Sequence, residues 1–575
     1  MTADADTPPR RSLLSAIAVY GERRSLAMLA LGFASGLPNL LIFDTLSAWL
    51  RDAGLSLEVI GFFSLATLAY SFKFLWAPLV DRTRVPLLTR WLGHRRSWML
   101  ACQALVIVGL WLVAGTDPAS QLGLMATFAV FVGFTSATQD IVIDAWRIEV
   151  AEVEKQGAMA AAYQWGYRIA TLTAGAAPLV LAESHGWNFS YAVMAGLMVV
   201  GVLGVLGAPR EAQHQIRPIH AEGVAAAPAR EVFEWVIRLA LFVLGALVLG
   251  SGLSGNADLL AGLLGLLGLP SAGESLTAVW EAKPWGVFAQ VAGVIVGGLI
   301  IFVAARPLRS MRTRPGIYLG AAFGEPLGDF FGRYGRVAGL ILATICLYRL
   351  SDFVLNIMNP FYLDLGFTKT EIAEVRKFFG MFMSMAGVFL GGLAVVRLGL
   401  MRALVIGAFA GPLSNLVFAW LAAQGPTLPA LFVAIGVDNI ASGFSGTCLI
   451  AYMSSLTSAG FTATQYALFS SLYSLPGKLL ASQSGRLVEA TAKSADAGGP
   501  AAMLKGLFTG LPPETFAAAA AKSQVSAAAL GAGYVSFFFY SAAIGVAAIV
   551  LVFMVARRQP PAQTPAQTQS QSQTA

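Results

Sequence analysis

Charge is scarce in this 575-residue chain: Asp, Glu, Lys and Arg make up 12% of it, whereas 57% of the residues are hydrophobic. Soluble domains carry roughly 25% charged residues, so a soluble enzyme or a free nucleic-acid-binding domain is excluded despite the net charge of +7. Cysteine is rarer still. Cys102, Cys346 and Cys448 all fall inside apolar stretches, an odd set without metal-ligand spacing, so neither a disulfide framework nor a metal site is indicated. The only histidines, His94, His185, His214 and His220, lie in or beside loops and suggest no haem or metal relay. No Gly-Lys-Ser/Thr loop is present to cradle a phosphate, so ATP is not the motor. No nucleophile–base pair marks an enzyme, and no cofactor is expected.

What the chain has instead is apolar runs long enough to cross a bilayer. Helices are expected at about 26–50, 57–80, 97–115, 121–146, 157–183 and 187–208, then 232–252 and 285–305, then 337–363, 369–394, 402–423, 429–455, 462–489 and 533–556. The fold class is therefore all-α membrane with fourteen transmembrane helices, two six-helix halves with two extra helices between them. Five regions follow: 1–25, a polar N-terminal segment without a cleavage site; 26–208, the first bundle; 209–336, a linker with the inserted pair and a basic loop; 337–556, the second bundle; and 557–575, a Gln- and Pro-rich disordered tail. Lys and Arg concentrate in alternate connections, most densely in 81–96 and 306–336, which places both termini in the cytoplasm.

The halves echo one another weakly: Ser56 followed by Glu58, and Thr368 followed by Glu371, each open a helix after a short loop starting at Asp52 or Asp364. Parallel six-helix repeats are the plan of major facilitator transporters, with substrate bound near midplane between them.

The polar centre is Ser136 to Arg147, where a long apolar run carries Gln139, Asp140, Asp144 and Arg147. At about 100° per residue, Ser136, Asp140, Asp144 and Arg147 share one stripe. A charged group inside a spanning helix costs about 2.5–3.5 kcal/mol on insertion scales, so it faces a bundle interior or a water-filled path. Asp144 and Arg147 have a plain structural reading as an ion pair one turn apart. Asp140 lies deeper without a partner on its own helix, which makes it the first candidate for the proton carrier, with Asp352 and Asp438 next.

Other polar residues sit where lipid would be. Lys73 either snorkels or pairs with a carboxylate such as Asp44 or Asp140; Asp44 itself lies near the outer mouth. Tyr163, Gln164, Tyr167 and Arg168 cluster on the fifth helix and suit a sugar–peptide ligand, or alternatively satisfy each other at a helix contact. Arg349, Asp352 and Asn356 share one face of the ninth helix, where the first two can neutralise each other within a turn. Lys478 follows Pro476-Gly477, breakers whose freed carbonyls often line a cavity. Gln139 joins the substrate-binding set, and Asp81, Arg82, Asp144 and Arg147 are assigned to the gate.

Gly32-Phe33-Ala34-Ser35-Gly36-Leu37-Pro38, Lys73 to Arg82, the 136–147 stretch and Tyr167-Arg168-Ile169-Ala170 together resemble the AmpG-type muropeptide permeases of the major facilitator superfamily. The resemblance is carried by about 30–210 and continues as architecture beyond. It implies a bacterial inner-membrane symporter that imports anhydro-muropeptides with protons for cell-wall recycling. Its partners are then solute, protons and lipid, with no nucleic acid and no obligate protein partner. A drug, siderophore or peptide carrier of the same fold is the rival among transporters, and a membrane receptor for wall fragments the rival outside them.

Overall fold

The computed structural model describes the chain apart from residues 1–12, 56–69, 71, 212–215, 217–223, 225–226, 255–256, 283–284, 307–312, 482–483 and 560–575. Also outside the description are the side chains of 474–481 and of Leu13, Phe43, Leu253, Ser254, Leu259, Glu281, Val287 and Asn356. The described residues form helices and connecting turns and no strand.

The long helices of the first half are α1 (Arg23–Leu40), α2 (His94–Ala114), α3 (Leu122–Val150), α4 (Gln156–His185) and α5 (Trp187–Gly207). Between the halves come α6 (Pro228–Ser254), α7 (Gly286–Ala305) and α8 (Arg314–Tyr334). The second half opens with a broken helix over 338–365 and continues with α9 (Gly380–Leu398), α10 (Leu400–Gln424), α11 (Leu428–Ser455), α12 (Thr462–Ala481) and α13 (Ala527–Arg558). Among the described residues, ten helices are long and apolar enough to cross a membrane. The stretches α1, α4, α12 and the segment ending at Arg82 fall short of that, and α4 carries Tyr163, Gln164, Tyr167 and Arg168.

Several boundaries differ from expectation for local reasons. Residues 306–336, read as a basic loop, hold the amphipathic helix α8: Thr313 caps it by accepting from Gly316 N at 3.3 Å, and Pro315 sits in its first turn. The expected helix 462–489 is two helices, α12 and Ser484–Asp496, and Pro476 and Gly477 do not interrupt the first of them. α13 starts six residues before the expected 533, at Ala527, because Ser526 caps it and the alanine run behind it is helical. The Thr368 cap forms as expected, with Glu371 returning the bond at 2.8 Å; its counterpart Ser56 lies outside the described residues. The Ala-rich stretch 490–532 is folded too, burying Phe508, Phe516 and Ala520 against Phe361 and Tyr534.

The inserted pair is docked rather than free in the bilayer. A Cβ on Gly297 would overlap the backbone of Leu249, so α6 and α7 meet almost backbone to backbone. Leu249 buries against Phe72, with Phe74, Leu75 and Trp76 around it. At the far end Arg238 of α6 donates to Arg306 O at the end of α7 at 2.9 Å, and Thr313 at the start of α8 donates to Glu234 of α6 at 2.7 Å, which ties the pair to α8.

Candidate functional site

Helices are interrupted at several of the ionisable groups, Arg376 on the π turn Glu374–Phe379 before α9 among them. One π turn, Leu41–Thr45, follows α1 and carries Asp44; a 3-10 turn, Lys73–Leu75, precedes the short helix Ala77–Arg82; and the 338–365 helix breaks at Arg349 and again over Val354–Ile357. Each break frees backbone polar groups, which is tolerated at membrane depth only beside protein or a water-lined path.

The first polar centre is built by α1, α3 and α4. A Cβ on Gly166 would overlap the Leu29 carbonyl oxygen, so α4 approaches α1 closely enough for its tyrosines to reach α1 hydroxyls and amides. Tyr163 Oη donates to Ser35 Oγ at 2.6 Å, and Ser35 in turn donates to Asp140. Asn39 donates to Tyr167 Oη at 2.8 Å. Asp140 is 8% exposed, and Lys73 and Asp144 both act on it electrostatically. Lys73 pairs with Asp144 at 3.8 Å, rather than with either expected partner Asp44 or Asp140. Asp144 also meets Arg147 at 3.4 Å, so the ion pair expected from the sequence is present as part of a triad. Gln139 is fully buried and does not face open space, a correction to its expected place at the ligand.

The second centre lies in the other half, around a cavity of about 200 Å³. Arg349 pairs with Asp352 at 3.0 Å and donates to Ser442 at 2.7 Å. Asp438 accepts from Ser414 at 3.4 Å. Arg376, on the exposed rim, contacts Asn359. Arg168 of α4 is exposed between the halves and electrostatically coupled to Arg349, so two cations face each other there. Asp44 is exposed on its π turn. Asn356 and Lys478, expected here, have side chains outside the described residues.

The halves lock together at the end bearing the chain termini. Asp81 accepts from Ala463 N at 3.2 Å, Thr464 N at 2.9 Å and Thr464 Oγ1 at 2.7 Å, so a carboxylate of one half caps helix α12 of the other. Arg95 holds that carboxylate at 2.7 Å and Glu149 at 2.6 Å while fully buried. Arg147 donates to Ser454 at 2.9 Å and stacks over Tyr466 at 5.2 Å. Arg82 pairs with Glu325 of α8 at 2.8 Å, and Arg333 of α8 donates to Leu456 O at 2.9 Å. Further along the seam Gln164 donates to Thr447 at 2.9 Å and Trp165 to Met385 O at 3.0 Å. Gln164 is therefore committed to the contact between halves, the alternative its helix position left open.

A family model described as Major Facilitator Superfamily matches residues 25–480. The anhydromuropeptide permease of Escherichia coli (strain K12) is 30% identical over 475 residues, 82% of this chain and 76% of that protein. The chain belongs to the AmpG-type branch of the major facilitator superfamily. The AmpG 4 transporter of Rickettsia conorii is similar as well, 29% identical over 473 residues, 82% of this chain and 91% of that protein. In fold, the chain matches the proton:xylose symporter XylE bound to 6-bromo-6-deoxy-D-glucose with a TM-score of 0.50 at 10% identity, covering 96% of this chain and 97% of that one. The protein is a multi-pass membrane transporter and not an enzyme.

The arrangement divides into a carboxylate bonded through hydroxyls in the first half, a polar cavity in the second and a bonded seam between them. Sequence reasoning missed Ser35, Asn39, Arg95, Glu149 and Arg376. Ser35 and Asn39 do carry a signal, since they sit at i, i+4 among the glycines 32 and 36 that bring α4 close. Arg95 was grouped with surface-loop arginines, because nothing local shows that Asp81 and Glu149 converge on it.

Proposed function

We propose that the protein imports anhydro-muropeptides (N-acetylglucosaminyl-1,6-anhydro-N-acetylmuramyl peptides) with protons across the bacterial inner membrane, for cell-wall recycling. Both termini lie in the cytoplasm and the chain crosses fourteen times. Its bundles, 26–208 and 337–556, are joined by the inserted 209–336, with 1–25 and 557–575 as cytoplasmic ends. The observation that carries this reading is Asp140, a nearly buried carboxylate at the end of a hydroxyl relay, in a chain similar to a protein named for that activity.

The steps follow from the contacts. A proton reaching Asp140 removes the charge that Lys73 answers and leaves Asp144 as the partner of Lys73 and Arg147. Arg147 then holds Ser454 and Tyr466 less firmly. Release of Asp81 from the α12 N-terminus lets the halves rock and opens the cytoplasmic side. Solute carboxylates meet Arg168, Arg349 and Lys478, and sugar rings meet Tyr163 and Tyr167, aromatic faces with hydroxyls at their tips. Importing an anion against an inside-negative potential requires co-transported protons, which fits carboxylates and cations sharing one path.

The test is uptake of labelled anhydro-disaccharide-tripeptide by proteoliposomes, challenged with unlabelled anhydro-disaccharide, free tripeptide and N-acetylglucosamine. Competition by the anhydro-disaccharide is expected. Competition by the peptide alone would make this a peptide carrier of the same fold.

A further inference from the structure

The second-half cavity holds charges that the protein leaves incompletely matched. Arg349 and Asp352 satisfy one another at 3.0 Å. Asp438, half-buried on α11, has Ser414 at 3.4 Å and no ion pair among the described residues. Arg376, at the rim, has only the neutral amide of Asn359 among its described side-chain partners. One carboxylate inside and one guanidinium at the mouth thus flank a space of about 200 Å³. Whole-solute pockets run to roughly 300–1,000 Å³, so this space admits an end group and not a disaccharide.

We infer that this cavity is a subsite for a zwitterionic amino-acid end group, its ammonium against Asp438 and its carboxylate against Arg376. Asn439 and Ser442, also lining the cavity, supply neutral polar atoms between them. A group carrying both charges completes both residues at once. A lone anion leaves Asp438 unmatched inside the cavity, and a lone cation meets the guanidinium at the mouth. The Arg349 and Asp352 pair beside it contributes no net charge, so the cavity prefers a ligand that is itself neutral overall. Within the proposed import of anhydro-muropeptides, on which this rests for its solute, the subsite reads the peptide stem.

Three anhydro-disaccharide-tripeptides test it, alike except that the third side chain ends in CH(NH3+)COO−, in CH2NH3+ or in methyl. The purified wild-type protein is expected to bind the first at least tenfold more tightly than the other two. Asp438→Asn should weaken the first on the order of 30-fold, and Arg376→Gln several-fold because of its exposed position, while the methyl probe is unchanged. Equal wild-type binding of all three, or equal weakening of all three in both variants, overturns the subsite. The wild-type comparison stands even where a variant does not fold. The same tripeptides without sugar separate the two claims. If the sugar adds nothing and the zwitterion still wins, the subsite holds and the muropeptide reading fails; if the sugar is required and the zwitterion makes no difference, the subsite fails alone.

Discussion

The two carboxylate centres lie in opposite halves and are built differently. Asp140 sits on the unbroken helix α3, is closed in by Ser35 and Tyr163, and is answered by a lysine that also serves Asp144. Asp438 faces a cavity beside the broken 338–365 helix, with two arginines on the walls. A carboxylate sealed behind hydroxyls can exchange a proton and little else. A carboxylate across an open space from guanidinium groups can meet a solute. Under the proposed function, coupling falls to the first half and solute end-group recognition to the second, and substitutions can break that division.

The largest effect is expected at Asp140. Asp140→Asn should lower uptake driven by a pH gradient by on the order of 100-fold or more, while solute exchange without a gradient persists. Loss of both, or of neither, would remove Asp140 from coupling. Next comes the lock. Asp81→Ala strips the cap from α12 and leaves Arg95 with Glu149 alone, for a loss of about 3 kcal/mol, read as a lower thermal denaturation midpoint and as faster labelling of cysteines placed at the terminus end of the seam.

A smaller effect is expected at Asp144 and Arg147. Single substitutions should reduce the yield of folded protein, and the swap Asp144→Arg with Arg147→Asp should recover only part of it, because Lys73 and Ser454 keep their own demands on the original arrangement. Full recovery would show an isolated pair and not a triad.

The smallest effect lies outside the membrane. Ser526, Lys505 and the Ser526 backbone N–H hold the Asp496 carboxyl down at about 2. A carboxyl depressed in the folded state stabilises the 490–532 cap fully above its ordinary value near about 3.9, and that contribution is lost as pH falls from there toward 2. Limited proteolysis near neutral pH should therefore cut this stretch earlier in Asp496→Ala, a difference from the wild type that shrinks as pH falls toward 2, with transport at neutral pH little changed.

How much of this was legible in the sequence depends on whether the signal is local. Apolar runs, the Thr368 cap and the lone carboxylate at 140 are local, and they gave the helical framework, one helix start and the coupling candidate. The break over 354–357 has a local mark that the sequence reading passed over, since Pro360 cannot donate to the carbonyl of residue 356 four positions back; the break at Arg349 has no proline or glycine to mark it and was not legible. α8 was hidden by its charges, although Glu325, Asp329 and Arg333 repeat at helical spacing and Thr313 precedes a proline. Partners across the seam, such as Asp81 with Thr464 or Gln164 with Thr447, are separated by hundreds of residues, and no pattern in one chain reports them. For the same reason Gln139 and Gln164 read as ligand contacts, though one is fully buried and the other is engaged by the opposite half.

The division between the halves is tested most directly by proton movement itself. Anhydro-disaccharide-tripeptide added outside proteoliposomes loaded with a pH-sensitive dye, without an imposed gradient, should carry protons inward with the solute in the wild type and in Asp438→Asn at saturating solute. Asp140→Asn should move solute without protons. Proton entry that survives in Asp140→Asn and disappears in Asp438→Asn would contradict the account.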